Sequence, residues 1–146
     1  TIVLLKNANG QLPLAGSNIH SIAIIGSHAD AGVLSGGGSA QVDPIGGNAV
    51  PQGGASLFGQ IVWHRSSPLK AIRAKAPGAK VEYDPGTDTS AAAALAKSSD
   101  VAVVFVNQPT SEGSDVLSLS LPDKQDALVS AVAAATDVLP TPPLPV

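Results

Sequence analysis

Apolar residues along this chain cluster into short uninterrupted runs separated by turn-forming residues. The run Val101–Val106 (VAVVFV) contains no polar residue, and Ile22–Gly26 (IAIIG) is apolar up to a closing glycine. A strand with one face in water alternates apolar and polar residues, so these runs indicate strands buried on both faces, as in a parallel sheet. Lys80–Tyr83 (KVEY) is predicted to be a further strand. We therefore expect Val101–Val106 to be a central strand of a parallel sheet.

Three segments between or after these strands have the features of helices. Ser67–Ala76 begins with a serine that can cap a helix, has proline at the first helical position and ends in basic residues. Thr89–Ser98 is a capped, alanine-rich segment, and Pro122–Ala135 repeats apolar residues at helical spacing after a proline suited to a first turn. This alternation predicts an α/β fold, a three-layer sandwich with helices on both faces of a mainly parallel sheet.

A connection of some forty residues, Ser27–Ser66, shows neither helical nor strand periodicity. Connections this long are uncommon and tend to be functional. Its glycine-rich part, Leu34–Pro44 (LSGGGSAQVDP), would let a ligand approach backbone amides closely. A dinucleotide fingerprint would have to open a helix at its last glycine, and here Asp43-Pro44 and more glycines follow instead. The segment is therefore expected to be a binding loop of another kind.

Composition narrows the classes of function. The chain has 146 residues, enough for one domain with a core, and a net charge of −3, which offers no basic surface for nucleic acid. No apolar run approaches the roughly 20 residues that span a bilayer, and the N-terminus lacks the order of a signal peptide. There are no cysteines, and the three histidines are too scattered for a metal motif. We predict no metal, cofactor, nucleic-acid partner or membrane span, and localisation stays undetermined.

Three stretches of the sequence form an ordered set of motifs. Phe105–Ala135 reads FVNQPTSEGSDVLSLSLPDKQDALVSAVAAA, Thr1–Leu14 reads TIVLLKNANGQLPL, and Ser21–Pro44 reads SIAIIGSHADAGVLSGGGSAQVDP. They resemble the second domain of bacterial, β-glucosidase-like members of glycoside hydrolase family 3. Those members often read close to Q-W-T-E-G-x-D-x-x-D-L-S-L-P-x-x-Q-D-A-L in the first of these stretches. Three motifs in the order of the family make the resemblance specific.

The resemblance implies a division of the chain and an incomplete domain. Residues 1–20 would lead into the domain, 21–135 would form about half of its six-stranded α/β sandwich, and 136–146 is a divergent proline-rich tail. The family's first domain, a (β/α)8 barrel, would be missing, as in a truncated copy. Because a sheet cut after Val101–Val106 exposes a strand edge, we expect the chain to form a homo-oligomer.

The resemblance also implies the chemistry of a retaining β-glucosidase acting on terminal β-D-glucosyl residues. Its T-E-G motif falls on Ser111-Glu112-Gly113, which makes Glu112 the general acid/base, while the nucleophilic aspartate belongs to the missing first domain. Asp115 would position this loop, and Pro109 stands where many relatives have tryptophan. Glutamate suits acid catalysis if burial or a neighbouring carboxylate raises its pKa. Because the nucleophile is missing and nothing ensures such a raised pKa, the isolated chain is expected to be inactive or weakly active. The residues expected to border the sugar are Gly36, Gly37, Gly38 and Ser39.

Two further residues have a structural interpretation that we favour over a functional one. Trp63, the only tryptophan, is expected to be a packing residue, although it could line a pocket instead. Asp123 is expected to stabilise the N-terminus of the last helix through the helix dipole. Because loops at the carboxyl ends of parallel strands lie at one edge of the sheet, Glu112 should lie beyond the carboxyl end of Val101–Val106, on the same face of the sheet as the loop Ser35–Pro44.

Two alternative functions remain open at this point. His28 and Asp30 with Ser35 or Ser39 could form the triad of an independent serine esterase, although the G-x-S-x-G motif is absent. The fold could also persist as a non-catalytic module that self-associates.

Overall fold

The computed structural model describes residues 2–14, 16–50, 61–108, 110, 112–113 and 115–136. The tail is described only at Thr136, and Pro109 lies outside the described residues. No helix of the described ranges is long and apolar enough to cross a bilayer. The strands and helices are β1 (Ser21–Ile25), β2 (Gly32–Ser35), β3 (Val62–His64), α1 (Pro68–Lys75), β4 (Lys80–Asp84), α2 (Thr89–Lys97), β5 (Val101–Val104) and α3 (Gln125–Ala135).

A parallel sheet with helices on both faces forms the centre of the molecule. Its strand order is β4-β1-β5, with Ile24 of β1 paired to Tyr83 on one side and Val103 on the other. Side chains alternate between the two faces of a strand. Ala23 and Ile25 accordingly pack with α2 and α3, whereas Ile22 and Ile24 pack with α1. The predicted α/β architecture is confirmed.

Local capping explains where the first two long helices begin. Ser67 Oγ accepts a hydrogen bond from Lys70 N at 3.1 Å, and Pro68 occupies the first helical position, as the sequence predicts for α1. In α2 the cap is Asp88, whose Oδ1 accepts hydrogen bonds from Ser90 N and Ala91 N. Both helices therefore agree with the predicted segments to within two residues at either end.

The third helix begins later than predicted, at Gln125 instead of Pro122. Asp123 and Lys124 have positive φ values of 55° and 59°, which a right-handed helix excludes. Pro122 belongs to the preceding turn, in which its carbonyl accepts a hydrogen bond from Gln125 N. Asp123 thus lies just before the N-cap, Lys124, and the acidic residue of the first turn is Asp126. The stabilising role of Asp123 stays a prediction.

The long connection contains a strand pair that its sequence pattern does not show. β2 and β3 pair antiparallel, with Val33 opposite Trp63, and form a separate two-stranded sheet. The prediction of a connection without strand structure was wrong for these residues. Strands of three or four residues are too short to display a period.

The position of β5 also differs from the prediction. Among the described residues β5 pairs only with β1, so β1 is the central strand and β5 lies at an edge. The residues of β5 are half-buried, whereas Ala23, Ile24 and Ile25 of β1 are fully buried. The continuous apolar run therefore correctly indicated a strand covered by helices. It did not indicate whether that strand is central or at an edge of the sheet within the described ranges.

Candidate active site

The loop that carries Glu112 leaves the carboxyl end of β5 and is anchored at its base. Phe105 N donates to Ile25 O at 2.7 Å, which continues the pairing of the two strands by one residue. Asn107 N then donates to Gln125 Oε1 at 2.9 Å, and Gln125 Nε2 donates back to Asn107 O at 2.9 Å. Gln125 is only 5% exposed. A buried amide side chain of α3 therefore fixes the point where the loop begins.

Glu112 lies against the glycine-rich loop. Its side chain is exposed, and its Oε2 accepts a hydrogen bond from Ser39 N at 2.6 Å. A Cβ atom at Gly38 would lie 3.0 Å from both Glu112 Cβ and Glu112 Oε2. Gly38 has a φ of +83°, a conformation that glycine adopts at little cost. The absence of a side chain at residue 38 thus lets the carboxylate approach the backbone.

Glu112 and the loop Ser35–Pro44 therefore meet, as loops on the same face of the sheet can, although the route of the chain differs from the prediction. The glycine loop follows β2 of the antiparallel pair and does not leave the parallel sheet directly. The other predicted residues lie nearby. A Cβ atom at Gly36 would approach Thr110 O to 3.3 Å, and Gly37 N donates to Ser35 Oγ at 3.2 Å. Asp115 is exposed, three residues beyond Glu112.

The contact with Ser39 controls the electrostatics of Glu112. Hydrogen bonds from Ser39 favour the charged carboxylate and lower the pKa of Glu112 below its ordinary value. No carboxylate of the described residues contributes a raising effect to this pKa. In this arrangement Glu112 is ionised at neutral pH, which suits a group that accepts a proton. Donating a proton requires a further group that raises the pKa.

A shallow cavity of about 170 Å³ adjoins this contact. Trp63 is 8% exposed, and its ring stacks on that of His28 with centroids 4.2 Å apart and planes 23° from parallel. The prediction that Trp63 is a packing residue is correct, and Trp63 also lines the cavity. Sequence reasoning missed Val33 and Ile61 because the strand pair was not predicted. It missed Asn107, Gln108 and Thr110 because no local pattern marks these residues of the loop after β5. The lining residues are Val33, Gly36, Ile61, Trp63, Asn107, Gln108 and Thr110.

The residues of the alternative esterase triad do not come together. Asp30 Oδ1 accepts a hydrogen bond from Tyr83 OH at 3.4 Å, and Ser35 Oγ accepts one from Gly37 N. Within the described ranges His28 Nδ1 is buried and has no hydrogen-bond partner. A hydrolytic triad needs its histidine bonded to both other members. This geometry does not support an independent serine esterase.

Comparison with known proteins agrees with the sequence motifs. The chain is 37% identical to the probable beta-glucosidase L of Aspergillus fumigatus over 93% of this chain and 19% of that protein. It is 33% identical to the thermostable beta-glucosidase B of Acetivibrio thermocellus over 91% of this chain and 17% of that one. The crystal structure of beta-glucosidase D2-BGL from Chaetomella raphigera superposes with a TM-score of 0.63 at 31% identity, covering 91% of this chain and 20% of that one.

This chain thus spans about a fifth of the length of these relatives. The sequence model of the glycosyl hydrolase family 3 C-terminal domain matches residues 2–139. The chain therefore belongs to glycoside hydrolase family 3, and its α/β sheet corresponds to part of the C-terminal domain of that family.

Proposed function

We propose that this chain supplies the general acid/base of a retaining β-glucosidase that removes terminal β-D-glucosyl residues. Glu112 is the proposed acid/base, Gly36, Gly37, Gly38 and Ser39 border the sugar, and Asp115 helps position the loop. The observation that carries the proposal is the contact between Glu112 and the glycine loop, in which Ser39 N donates to Glu112 Oε2 at 2.6 Å. The contact supports the proposal because Gly36, Gly37 and Gly38, next to Ser39, have no side chains that would exclude a ligand from the backbone beside the carboxylate.

The proposed reaction has two steps. First, protonated Glu112 gives its proton to the glycosidic oxygen while a second carboxylate attacks the anomeric carbon and the leaving group departs. Then Glu112, now a carboxylate, takes a proton from water as the oxygen of that water displaces the enzyme carboxylate from the sugar. The lowered pKa of Glu112 suits the second step. For the first step, the negative charge of the second carboxylate would raise that pKa.

The nucleophile is proposed to come from outside this chain. Among the described residues no other carboxylate shifts the pKa of Glu112, and the contact found for its side chain is with Ser39. The relatives, which are named as glucosidases, have about four-fifths of their length outside the region matched here. We therefore propose that a further domain contributes the second carboxylate. The isolated chain should hydrolyse aryl β-glucosides at or near background.

The chain can be tested in an active context by grafting it in place of the matching segment of the thermostable beta-glucosidase B. The chain has two glutamates, Glu112 and Glu82, and Glu82 pairs at the surface with Lys80 at 2.8 Å. Glu112→Gln should lower kcat/KM for cellobiose by about 10²–10⁴-fold, the usual loss for a general acid, whereas Glu82→Gln should leave it unchanged. Dinitrophenyl β-glucoside should be affected less in the first step, because its leaving group needs no proton.

Two results would contradict this proposal. Equal rates for Glu112→Gln and Glu82→Gln in the graft would remove Glu112 from the mechanism. A robust rate of the isolated chain that Glu112→Gln abolishes would mean that a second copy, or an aspartate of this chain, acts as the nucleophile.

Self-association is a further part of the proposal. Among the described residues β5 has a strand partner on one side only, and its side chains are half-buried. Unpaired strand edges favour pairing with another strand. We propose that two copies associate through this edge. This association does not depend on catalytic activity. A stable monomer at micromolar concentration in light scattering would contradict it.

A further inference from the structure

We infer that Arg73 closes the free edge of β4 to a further strand, so that copies of this chain pair through β5 alone and association stops at two. This step rests on the proposed self-association, because the edge of β5 is taken as the open one. Arg73 belongs to α1, which packs on one face of the sheet. The surface concerned is the outer edge of β4, meaning the backbone groups of Val81 and Tyr83 that point away from β1.

The hydrogen bonds of β4 determine which of its backbone groups face outwards. Lys80 N donates to His20 O at 2.8 Å, so the backbone of Lys80 is directed towards β1. The N–H and C=O groups of successive residues in a strand point to opposite sides. Those of Val81 and Tyr83 therefore point away from β1. Among the described residues β4 pairs with β1 alone, so these groups form a free edge.

The side chain of Arg73 occupies one of these outer groups. Its Nη2 donates to Val81 O at 3.3 Å. Ile72, the residue next to Arg73, packs in the same apolar cluster as Val81, which holds this part of α1 against β4. A strand that pairs with β4 needs Val81 O as an acceptor. It must therefore first displace the guanidinium group of Arg73.

The two ends of the same edge offer few donors to a partner strand. Ala79 N, just before β4, donates to Ala76 O at 3.0 Å in the turn after α1. Pro85, just after β4, has no N–H group. Within residues 79–85 the outward donors are thus those of Val81 and Tyr83. Proline and charged side chains at an edge strand hinder pairing with another strand.

Like charges also oppose the approach of a second copy to β4. Five of the eight lysines and arginines lie between residues 65 and 80, a stretch without Asp or Glu. They are exposed, and they are Arg65, Lys70, Arg73, Lys75 and Lys80. Lys80 is paired with Glu82 at 2.8 Å, which partly offsets its charge. A twofold contact brings the same surface of both copies together, so two Arg73 side chains would repel each other there.

The edge of β5 differs from that of β4. Its residues Val101–Val104 are apolar and half-buried. Because Phe105 N bonds to Ile25 O, the outward groups are those of Ala102 and Val104. Within the described ranges neither of these two residues takes part in a side-chain hydrogen bond. The sheet therefore has one open and one closed edge, which permits a pair of copies but not a continuing row of them.

Arg73→Ala opens the edge of β4 and tests the inference. Sedimentation velocity over a range of concentrations measures the size of the assemblies. The unaltered chain should stay at two copies. Arg73→Ala should grow beyond two, with an association constant for that step raised at least about tenfold, since each new contact loses two guanidinium groups that would have to be displaced. Lys75→Ala is the control, because Lys75 is exposed and lies with Arg73 in the last turn of α1. Arg73→Lys keeps a charge and a donor and should resemble the unaltered chain.

Hydrogen exchange of single amides identifies the edge in use. In the unaltered chain the amides of Val81 and Tyr83 should exchange fast, and in assemblies of Arg73→Ala they should become slow. Circular dichroism checks that the variants fold. Slow exchange of these two amides in the unaltered chain would overturn the inference even if a variant failed to fold. So would equal masses for Arg73→Ala and Lys75→Ala, or larger assemblies of Arg73→Ala in which both amides still exchange fast.

The closed edge and the proposed self-association can fail separately. If the unaltered chain is a monomer but Arg73→Ala forms dimers with slow exchange at Val81 and Tyr83, pairing through β5 is wrong and the closed edge of β4 stands. If both chains are dimers with slow exchange at Val104, self-association stands and the closed edge is wrong. None of these measurements depends on Glu112, so the acid/base proposal is tested apart from them.

Discussion

The parallel sheet with its helices and the loops at its carboxyl edge are stabilised by different means. In the sheet, Ile24 and Ile25 have no exposed surface and pack between helices on either side. In the loops, Ile45 and Leu117 are fully exposed. Burial of apolar surface stabilises the first region. The second has little apolar burial, and its conformation depends on individual hydrogen bonds and on glycines with positive φ.

This difference explains why the carboxylate of the candidate site is exposed and is held by hydrogen bonds. A carboxylate in the sheet region would lose its hydration, whereas Glu112 is exposed and is held by hydrogen bonds from Ser39, among them the bond from Ser39 N. Gly38, with its φ of +83°, is what permits that contact. The site is therefore supported by groups whose removal should change function more than stability. The following substitutions test that division.

The largest expected effect is on the sheet. Ile24→Ala should lower the free energy of unfolding by about 2–5 kcal/mol, because the shortened side chain leaves a cavity between β1 and α1. Ile45→Ala, the matched change in the loops, should stay within about 0.5 kcal/mol. Urea denaturation followed by circular dichroism measures both. Similar losses for the two variants would mean that the loops are packed as a second core.

Most of the sheet region was predictable because its signals are local. The bounds of β1, β4, α1 and α2 follow from apolar runs and capping residues within the segments themselves, as with Ser67. The start of α3 was misplaced because proline suits both a first helical turn and the turn before it. Sequence could not show that β5 lies at an edge of the described sheet. An apolar run indicates that a strand is buried, but it does not indicate whether a second strand pairs with its other edge.

The loop region was predictable only in part. The family resemblance indicated that Glu112 and the glycine loop belong together, but no local pattern indicates the bond from Ser39. The β2–β3 pair was missed because Val33 and Trp63 are thirty residues apart and each strand is very short. Gln125 gave no signal either, since a glutamine near the start of a helix ordinarily lies in solvent. These contacts are made across long sequence distances, which periodicity does not report.

The next effect should appear where the two regions join. Gln125→Ala removes the amide that bonds Asn107 N and Asn107 O, and it leaves partly buried backbone groups without partners. The expected loss is about 1–3 kcal/mol. Gln41→Ala removes an exposed amide that donates to Asp43 and should cost much less. Hydrogen exchange of the Asn107 amide should become faster in the first variant only. Unchanged exchange there would show that the loop is anchored by other contacts.

A smaller effect on stability, but a clear one on the site, is expected at Gly38. Gly38→Ala and Gly47→Ala share a positive φ, +83° and +79°, so each should cost about 1 kcal/mol in backbone strain. Only the Gly38 variant places a methyl group against Glu112, since nothing lies within 4 Å of a Cβ at Gly47. The displaced carboxylate should lose the bond from Ser39, and its pKa should rise towards its ordinary value. Carbon-detected NMR titration of Glu112 measures this, and a rise in both variants would contradict it.

The smallest effect concerns a carboxylate that holds the sheet in the same way that Glu112 is held in the loops. Asp100 Oδ2 accepts hydrogen bonds from His20 N at 2.8 Å and Ser21 N at 2.9 Å, at the start of β1. The bond from His20 N is the largest cause of a lowered pKa at Asp100. A lowered pKa in the folded state means that the carboxylate stabilises the fold above the unfolded pKa, which is near 3.8, and that this stabilisation is lost as pH falls through the folded pKa.

Asp100→Asn should therefore be less stable than the unchanged chain at neutral pH, and the difference should shrink as the pH falls below about 4. The effect should be modest, because Asp100 is exposed and water competes for its oxygens. Thermal denaturation at a series of pH values measures it. Equal stability of the two chains at every pH would show that the charge of Asp100 contributes nothing and that the asparagine oxygen replaces it fully. The sheet and the loops would then differ more than proposed. Apolar packing alone would stabilise the sheet, and a charged hydrogen bond would position only the loop that carries Glu112.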